Sequence, residues 1–427
     1  MRTAPGQVST ADPAGPRNRW DRWNRPLVPA VLLAVLALVF VVLRVSVAGD
    51  GHIGSFVYAG SDFSRPPIAG VPVQSGPGYD GQFAYRLAVD PADLHAESGG
   101  IRLDTTLRLE RIAYPTLAWV ASGGQRSAVP VALVVVNLLA LGLLAYLGGR
   151  LARASGRHAL WGLLLAGYWG YLFSLGRDLH EIVTGLFMLG GLLAYRSSKT
   201  GLAAALLAVA VLARETALLV VVAIAAVRLF DILRRRDKPR VLDLAWVVPG
   251  AVFVAWQAVC YAVIGSAPAL GSGPDQVGPP VIAFVQAVGH AFADLADGKR
   301  AAAALLLVQL AALIIVVALA GLRVRDPRIP REQRLAWVLA LVLTLCLSKH
   351  YWSGPADLRA LSDIYLLSAL LLLSPPADAD APADAEALAG PGGRSPRRFT
   401  DSRLLLYAAA PVAATFAVTF LARIVEL

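Results

Sequence analysis

The chain has 427 residues, of which 57% are apolar and 16% charged, and a formal net charge of +10. Its mean hydropathy of +0.60 and its apolar runs, many near the ~20 residues that cross a bilayer, exclude an ordinary soluble domain. The basic balance does not indicate nucleic acid, because the arginines cluster at the ends of apolar runs, where they act as topology signals.

Residues 1–26 form a basic tail with Arg17, Arg19, Arg22 and Arg25. The first apolar run, Leu27 to Val47, exceeds the usual signal-peptide core of about 7–15 residues. It therefore reads as an uncleaved anchor, although Ser46-Val47-Ala48 is small enough to resemble a cleavage site. About ten further spans are expected, each helical because backbone groups in lipid must pair internally. They run over 128–148, 159–175, 182–195, 201–213, 216–230, 242–264, 301–322, 335–348, 359–374 and 403–423. The expected fold is all-α and polytopic. A catalytic membrane domain spans 27–374, a flexible Ala/Asp/Pro/Gly-rich linker 375–402, and a last helix 403–427. Ile282, Val285, Val288, Phe292 and Leu295 share one helical face and predict an interfacial helix. Cys260 and Cys346 both lie inside apolar runs and carry no disulfide pattern.

Arginine and lysine bias sets the orientation. Basic connections at 150–157, 196–199, 234–240 and 323–334 alternate with connections poor in basic residues. The basic set and the amino terminus are assigned to the cytoplasm. The long loop 49–127 then faces outward, with the turns at 177–181, 214–215 and 349–357.

Those outward segments hold ionisable residues in four places. The first is Gly78-Tyr79-Asp80-Gly81-Gln82-Phe83-Ala84-Tyr85-Arg86, a carboxylate on a Gly-flanked turn beside an amide, two tyrosines and an arginine. Downstream, Ile101 to Pro115, with Arg111 and Tyr114, reads as a short helix on the membrane surface. The second is Arg177-Asp178-Leu179-His180-Glu181, between short runs, where Asp178 and Glu181 would share a helix face. Ionisable groups recessed into a membrane are costly and usually functional. The third is Arg214-Glu215, where an arginine could bind phosphate or simply pair within a helical hairpin. The fourth is Lys349-His350-Tyr351-Trp352 with Asp357, Arg359 and Asp363. There Trp352 reads either as a belt residue or as a surface for a sugar ring.

Together these features resemble the GT-C superfamily of integral-membrane glycosyltransferases, which includes protein O-mannosyltransferases, aminoarabinose transferases and actinobacterial arabinosyltransferases. Tyr79-Asp80-Gly81-Gln82-Phe83, Ile101-Arg102-Leu103-Asp104, Arg111 to Pro115, Arg177-Asp178 and Leu212 to Thr216 also resemble bacterial membrane proteins linked to cell-surface glycopolymer formation. The resemblance covers roughly 30–230. It departs at Asp80, which is followed by Gly81-Gln82 and not by a second acid.

The resemblance implies a polyprenyl-phosphate sugar as donor and an extracytoplasmic glycan, lipid or protein as acceptor, with the bilayer as platform. It implies Asp80 as catalytic base, with Asp178 or Glu181 orienting the acceptor or a metal. The expected substrate contacts are Gln82, Tyr85, Arg86, Arg111, Tyr114, Arg177, Arg214, Glu215, His350, Trp352 and Arg359. A divalent cation on Asp80 and Asp178 is compatible with these residues but not required. A transporter or flippase, and a noncatalytic envelope scaffold, are the competing expectations.

Overall fold

The computed structural model describes residues 23–236, 238–271, 276–298, 300–374 and 396–425. The basic tail before Trp23 and the linker over 375–395 lie outside them. The described chain is almost entirely helical: α1 (Leu27–Val47), α2 (Gly81–Val89), α3 (Ala113–Ala121), α4 (Val129–Ala154), α5 (Leu163–Ala166), α6 (Trp169–Leu175), α7 (Glu181–Arg196) and α8 (Thr200–Ala213) come first. They are followed by α9 (Leu218–Leu233), α10 (Val247–Ile264), α11 (Ile282–Ala296), α12 (Arg300–Arg323), α13 (Arg331–Cys346), α14 (Ser362–Leu373) and α15 (Pro396–Ile424). The described strands are two-residue pairs in the outer loop, β1 (Ala59–Gly60) parallel to β2 (Val73–Gln74) and β3 (Glu97–Ser98) antiparallel to β4 (Ile101–Arg102). This is an all-α, polytopic membrane architecture.

Among the described residues, six helices are long and apolar enough to cross a membrane: 27–47, 126–154, 215–233, 241–264, 300–323 and 402–424. The remaining expected spans are shorter. The run 159–175 is not one helix. Gly167 ends α5, and Tyr168 is extended before α6 begins. A side chain at Gly162 would meet the Gly149 backbone nitrogen at 2.1 Å, so the bare backbones of this segment and α4 touch there. The last helix begins at Pro396, so the final residues of the expected linker are helical. The helix expected over 282–295 is present as α11. It exposes Ile282, Val285 and Phe292 and buries Ala283, Ala287 and Ala291.

The outer loop differs from the single surface helix expected over 101–115. Ile101-Arg102 is a strand, Thr106–Glu110 a 3-10 turn, and helix resumes only at Ala113. Asp178 and Glu181 do not share a helix face either. Asp178 is left-handed (φ 51°), which takes it out of any helix, and α7 starts at Glu181.

A fully buried aromatic cluster sits beneath the loop. Tyr168 stacks on Tyr365 at 4.5 Å between ring centroids and lies 4.7 Å from Trp169. The Tyr168 hydroxyl donates to the Leu358 carbonyl and so fixes the 3-10 turn Asp357–Leu361 that presents Arg359. Gly170 allows this approach, because a side chain there would come within 2.9 Å of Arg359 Cα.

Candidate active site

The Asp80 turn is built by close backbone packing. Gly78 takes a left-handed φ of 66° that a non-glycine residue would adopt only at a cost. A Cβ on Gly81 would meet the Arg177 carbonyl oxygen at 2.2 Å, so only glycine lets α2 begin against the 177–181 turn. Gln82 secures the turn from behind. Its Oε1 accepts from Gly60 N at 3.1 Å and Ser64 Oγ at 2.9 Å, and its Nε2 donates to the Pro77 carbonyl at 2.8 Å.

Asp80 is held by two guanidinium groups. Arg359 Nη2 donates to Asp80 Oδ2 at 2.7 Å, and Arg108 Nη2 lies 2.9 Å from Asp80 Oδ1. Burial acts to raise the Asp80 pKa, but Arg108, Arg359 and Arg111 outweigh it and hold it at about 2. Arg359 in turn bonds Glu181 through Nη1, and its Nε donates to the Tyr79 hydroxyl at 3.2 Å. Glu181 is fully buried, and its other oxygen accepts from Ser174 Oγ at 2.9 Å. Arg108 is braced by Asp104 at 2.8 and 2.9 Å and lies over the Phe83 ring.

Two further arginines complete the rim. Arg111 makes a bidentate pair with Glu215, at 3.1 and 2.9 Å. Arg214 donates to the Ala360 carbonyl at 2.9 Å and to Ser362 Oγ at 3.2 Å, and stands 3.4 Å from Asp363. The segments 80–86, 108–115 and 177–181 thus converge with 214–216 and 357–363. A cavity of about 20 Å³ lies among Asp80, Arg108, Arg111, Tyr114 and His180, enough for about one water.

Asp357, which the sequence places on the fourth outward segment with no assigned role, belongs to this group. Burial raises its pKa; Arg359 opposes that effect and Asp80 adds to it. The signal that could have found it was its place two residues before Arg359 on the same outward turn.

Other expected contacts point elsewhere. Arg86 donates to the Asp93 and His95 carbonyls and the Tyr85 hydroxyl to Ala69, so both hold the loop together. The Tyr114 hydroxyl donates to Leu133 and accepts from Asn137, deep against α4. Arg177 lies over the Tyr58 ring at 3.3 Å. Trp352 is buried in a T-shaped contact with Phe284 and lines a separate cavity of about 380 Å³ beside Lys349 and Ser353; His350 is exposed. Asp178 is completely buried, neither carboxylate oxygen has a hydrogen-bond partner among the described residues, and Arg44 is a cation acting on it.

This arrangement does not suit a metal on Asp80 and Asp178. Both Asp80 oxygens face guanidinium groups, which repel a cation, and Asp178 answers to a different arginine. Among the described residues, no group of three or more His, Cys, Asp or Glu could hold a metal ion.

No protein-family model matches the chain, and no curated protein matches it. Among solved structures it is similar to the crystal structure of ArnT from Cupriavidus metallidurans bound to undecaprenyl phosphate. The two are 14% identical with a TM-score of 0.49, over 93% of this chain and 77% of that one.

Proposed function

We propose that the chain is a membrane glycosyltransferase of the GT-C type. It moves a sugar from a polyprenyl-phosphate donor to an acceptor on the outer side of the plasma membrane, which is a cell-surface glycan, lipid or protein. The observation that carries this reading is a carboxylate, Asp80, fixed between Arg359 and Arg108 in a helical membrane protein. A base beside preorganised cations is what glycosyl transfer from a lipid phosphate needs.

In the reaction the acceptor hydroxyl gives its proton to Asp80. Its oxygen forms a bond to the anomeric carbon as the bond from that carbon to the phosphate oxygen breaks. The lipid phosphate leaves with the bonding pair, and its added negative charge falls to the arginines. Asp80 at a pKa of about 2 is a weak base at rest. An incoming phosphate offers Arg108 and Arg359 a second acceptor, and sharing their charge raises the basicity of Asp80 when substrate is present. Glu181 acts as a positioning residue, holding Arg359 in place. A single displacement inverts the anomeric centre, since retention would need a nucleophilic carboxylate on the opposite face of the sugar.

The test compares wild type with Asp80→Asn in nanodiscs, using labelled polyprenyl-phosphate pentoses and hexoses, and follows lipid phosphate release. Release by wild type alone supports the reading. Equal release moves the base elsewhere in the cluster. No release from any donor by folded protein overturns it.

A further inference from the structure

At the end of the helices away from the Asp80 cluster, α4, α7 and α8 line an open cavity of about 590 Å³. One end is lined by Arg150, Arg196 and Lys199 with the hydroxyls of Ser155 and Ser197; the other is a shaft of leucines with Phe187. Arg196 is half-buried, and its Nη1 has no hydrogen-bond partner among the described residues. Glu332 acts on Arg196 from outside the cavity, and the lining itself holds three cations and no carboxylate. Helix α8 starts at Thr200, directly after Lys199, and its amino-terminal dipole adds positive potential there. Gly190 of α7 lines the shaft. A Cβ at that position would make only ordinary contacts, 3.4 Å to Leu206 and 3.9 Å to Leu147.

From this we infer that the cavity is a binding site for an anionic phospholipid of the leaflet that the arginine bias assigns to the cytoplasm. A cationic head-group cradle continuous with an apolar shaft matches a phosphodiester carrying acyl chains. A purely topological role for these basic residues needs no cavity, and a water-soluble anion needs no leucine shaft. The site lies outside the Asp80 cluster, and the inference is independent of the glycosyl-transfer reading.

The test uses the purified full chain in mild detergent, with lipid retention measured by native mass spectrometry. The probes are phosphatidylglycerol, phosphatidylcholine, a polyprenyl phosphate and inorganic phosphate. The expected result is preferential retention of phosphatidylglycerol. It should fall about tenfold or more in the double variant Arg196→Gln/Lys199→Gln. Gly190→Leu, which fills the shaft while all cations remain, should lose retention too. Monodispersity and circular dichroism confirm the fold of each variant. Equal retention of phosphatidylglycerol and phosphatidylcholine, or an undiminished preference in the double variant, overturns the inference. So does saturation by inorganic phosphate, or preference for the polyprenyl phosphate.

Discussion

Arg359 and Asp80 stand 279 positions apart in the chain, yet Arg359 Nη2 donates to Asp80 Oδ2 across 2.7 Å. The same guanidinium holds the fully buried Glu181. Arg359→Ala would leave that carboxylate buried without its cation, and losing one partner of a buried pair costs about 3–5 kcal/mol. Arg359→Lys keeps the charge but cannot bridge two carboxylates and a tyrosine in one plane. The expected order of thermal stability is wild type, then Lys, then Ala, with donor turnover lost in both variants. Differential scanning fluorimetry with a donor-release assay checks this.

The depressed Asp80 pKa gives stability a definite pH window. Its folded pKa of about 2 lies below the usual carboxylate value of 3.8. Its stabilising contribution is therefore present above about pH 4 and lost as pH falls from there toward 2. The stability difference between wild type and Asp80→Asn should be largest at pH 5 and above, and shrink as the pH is lowered to 2. Unfolding midpoints at stepped pH measure this.

Glu110 shows the opposite sign. Burial, with the nearby Glu215 carboxylate, raises its pKa from 4.5 to about 7, while Gln257 Nε2 donates to it at 3.1 Å. Ionising it in place is unfavourable, so it destabilises the fold progressively as pH rises from about 4.5 through 7. Glu110→Gln should be nearly neutral at pH 4.5 and stabilising at pH 8, read as a melting-temperature difference that grows with pH.

The Arg111–Glu215 pair ties the outer loop to the start of the 215–233 span. Its two bonds are partly shielded, so a double-mutant cycle with Arg111→Ala and Glu215→Ala should give a coupling of about 1 kcal/mol. A coupling near zero would mean that the loop is anchored by the Gln82 contacts instead.

Gly81→Ala places a methyl carbon against the Arg177 carbonyl oxygen, and neither backbone can move freely. The expected cost is about 1–3 kcal/mol, with lower donor turnover because the Asp80 turn lifts from the 177–181 turn. Gly201→Ala, where a Cβ meets nothing within 4 Å, is the control and should be neutral or slightly stabilising.

Much of the architecture was legible in the chain because hydropathy and arginine bias are local. The apolar runs that became α1, α4, α9, α10, α12 and α15 could be read directly, and so could the one-sided apolar helix α11. The short runs were harder. Whether 159–175 is one helix or two depends on glycines meeting backbone from α4, which periodicity does not record.

The sequence by itself determined that this is a helical membrane protein, and it brought the ionisable residues to a few short connections. Only the tertiary structure decided which of them meet. Asp80, Arg108, Glu181 and Arg359 converge, whereas Asp178 is buried apart from them, Trp352 packs against Phe284, and Gln82, Tyr85 and Arg86 hold their own loop. The physical reason is range. A span is specified by about 20 consecutive residues, but an ion pair closed across 279 positions depends on how every intervening helix packs.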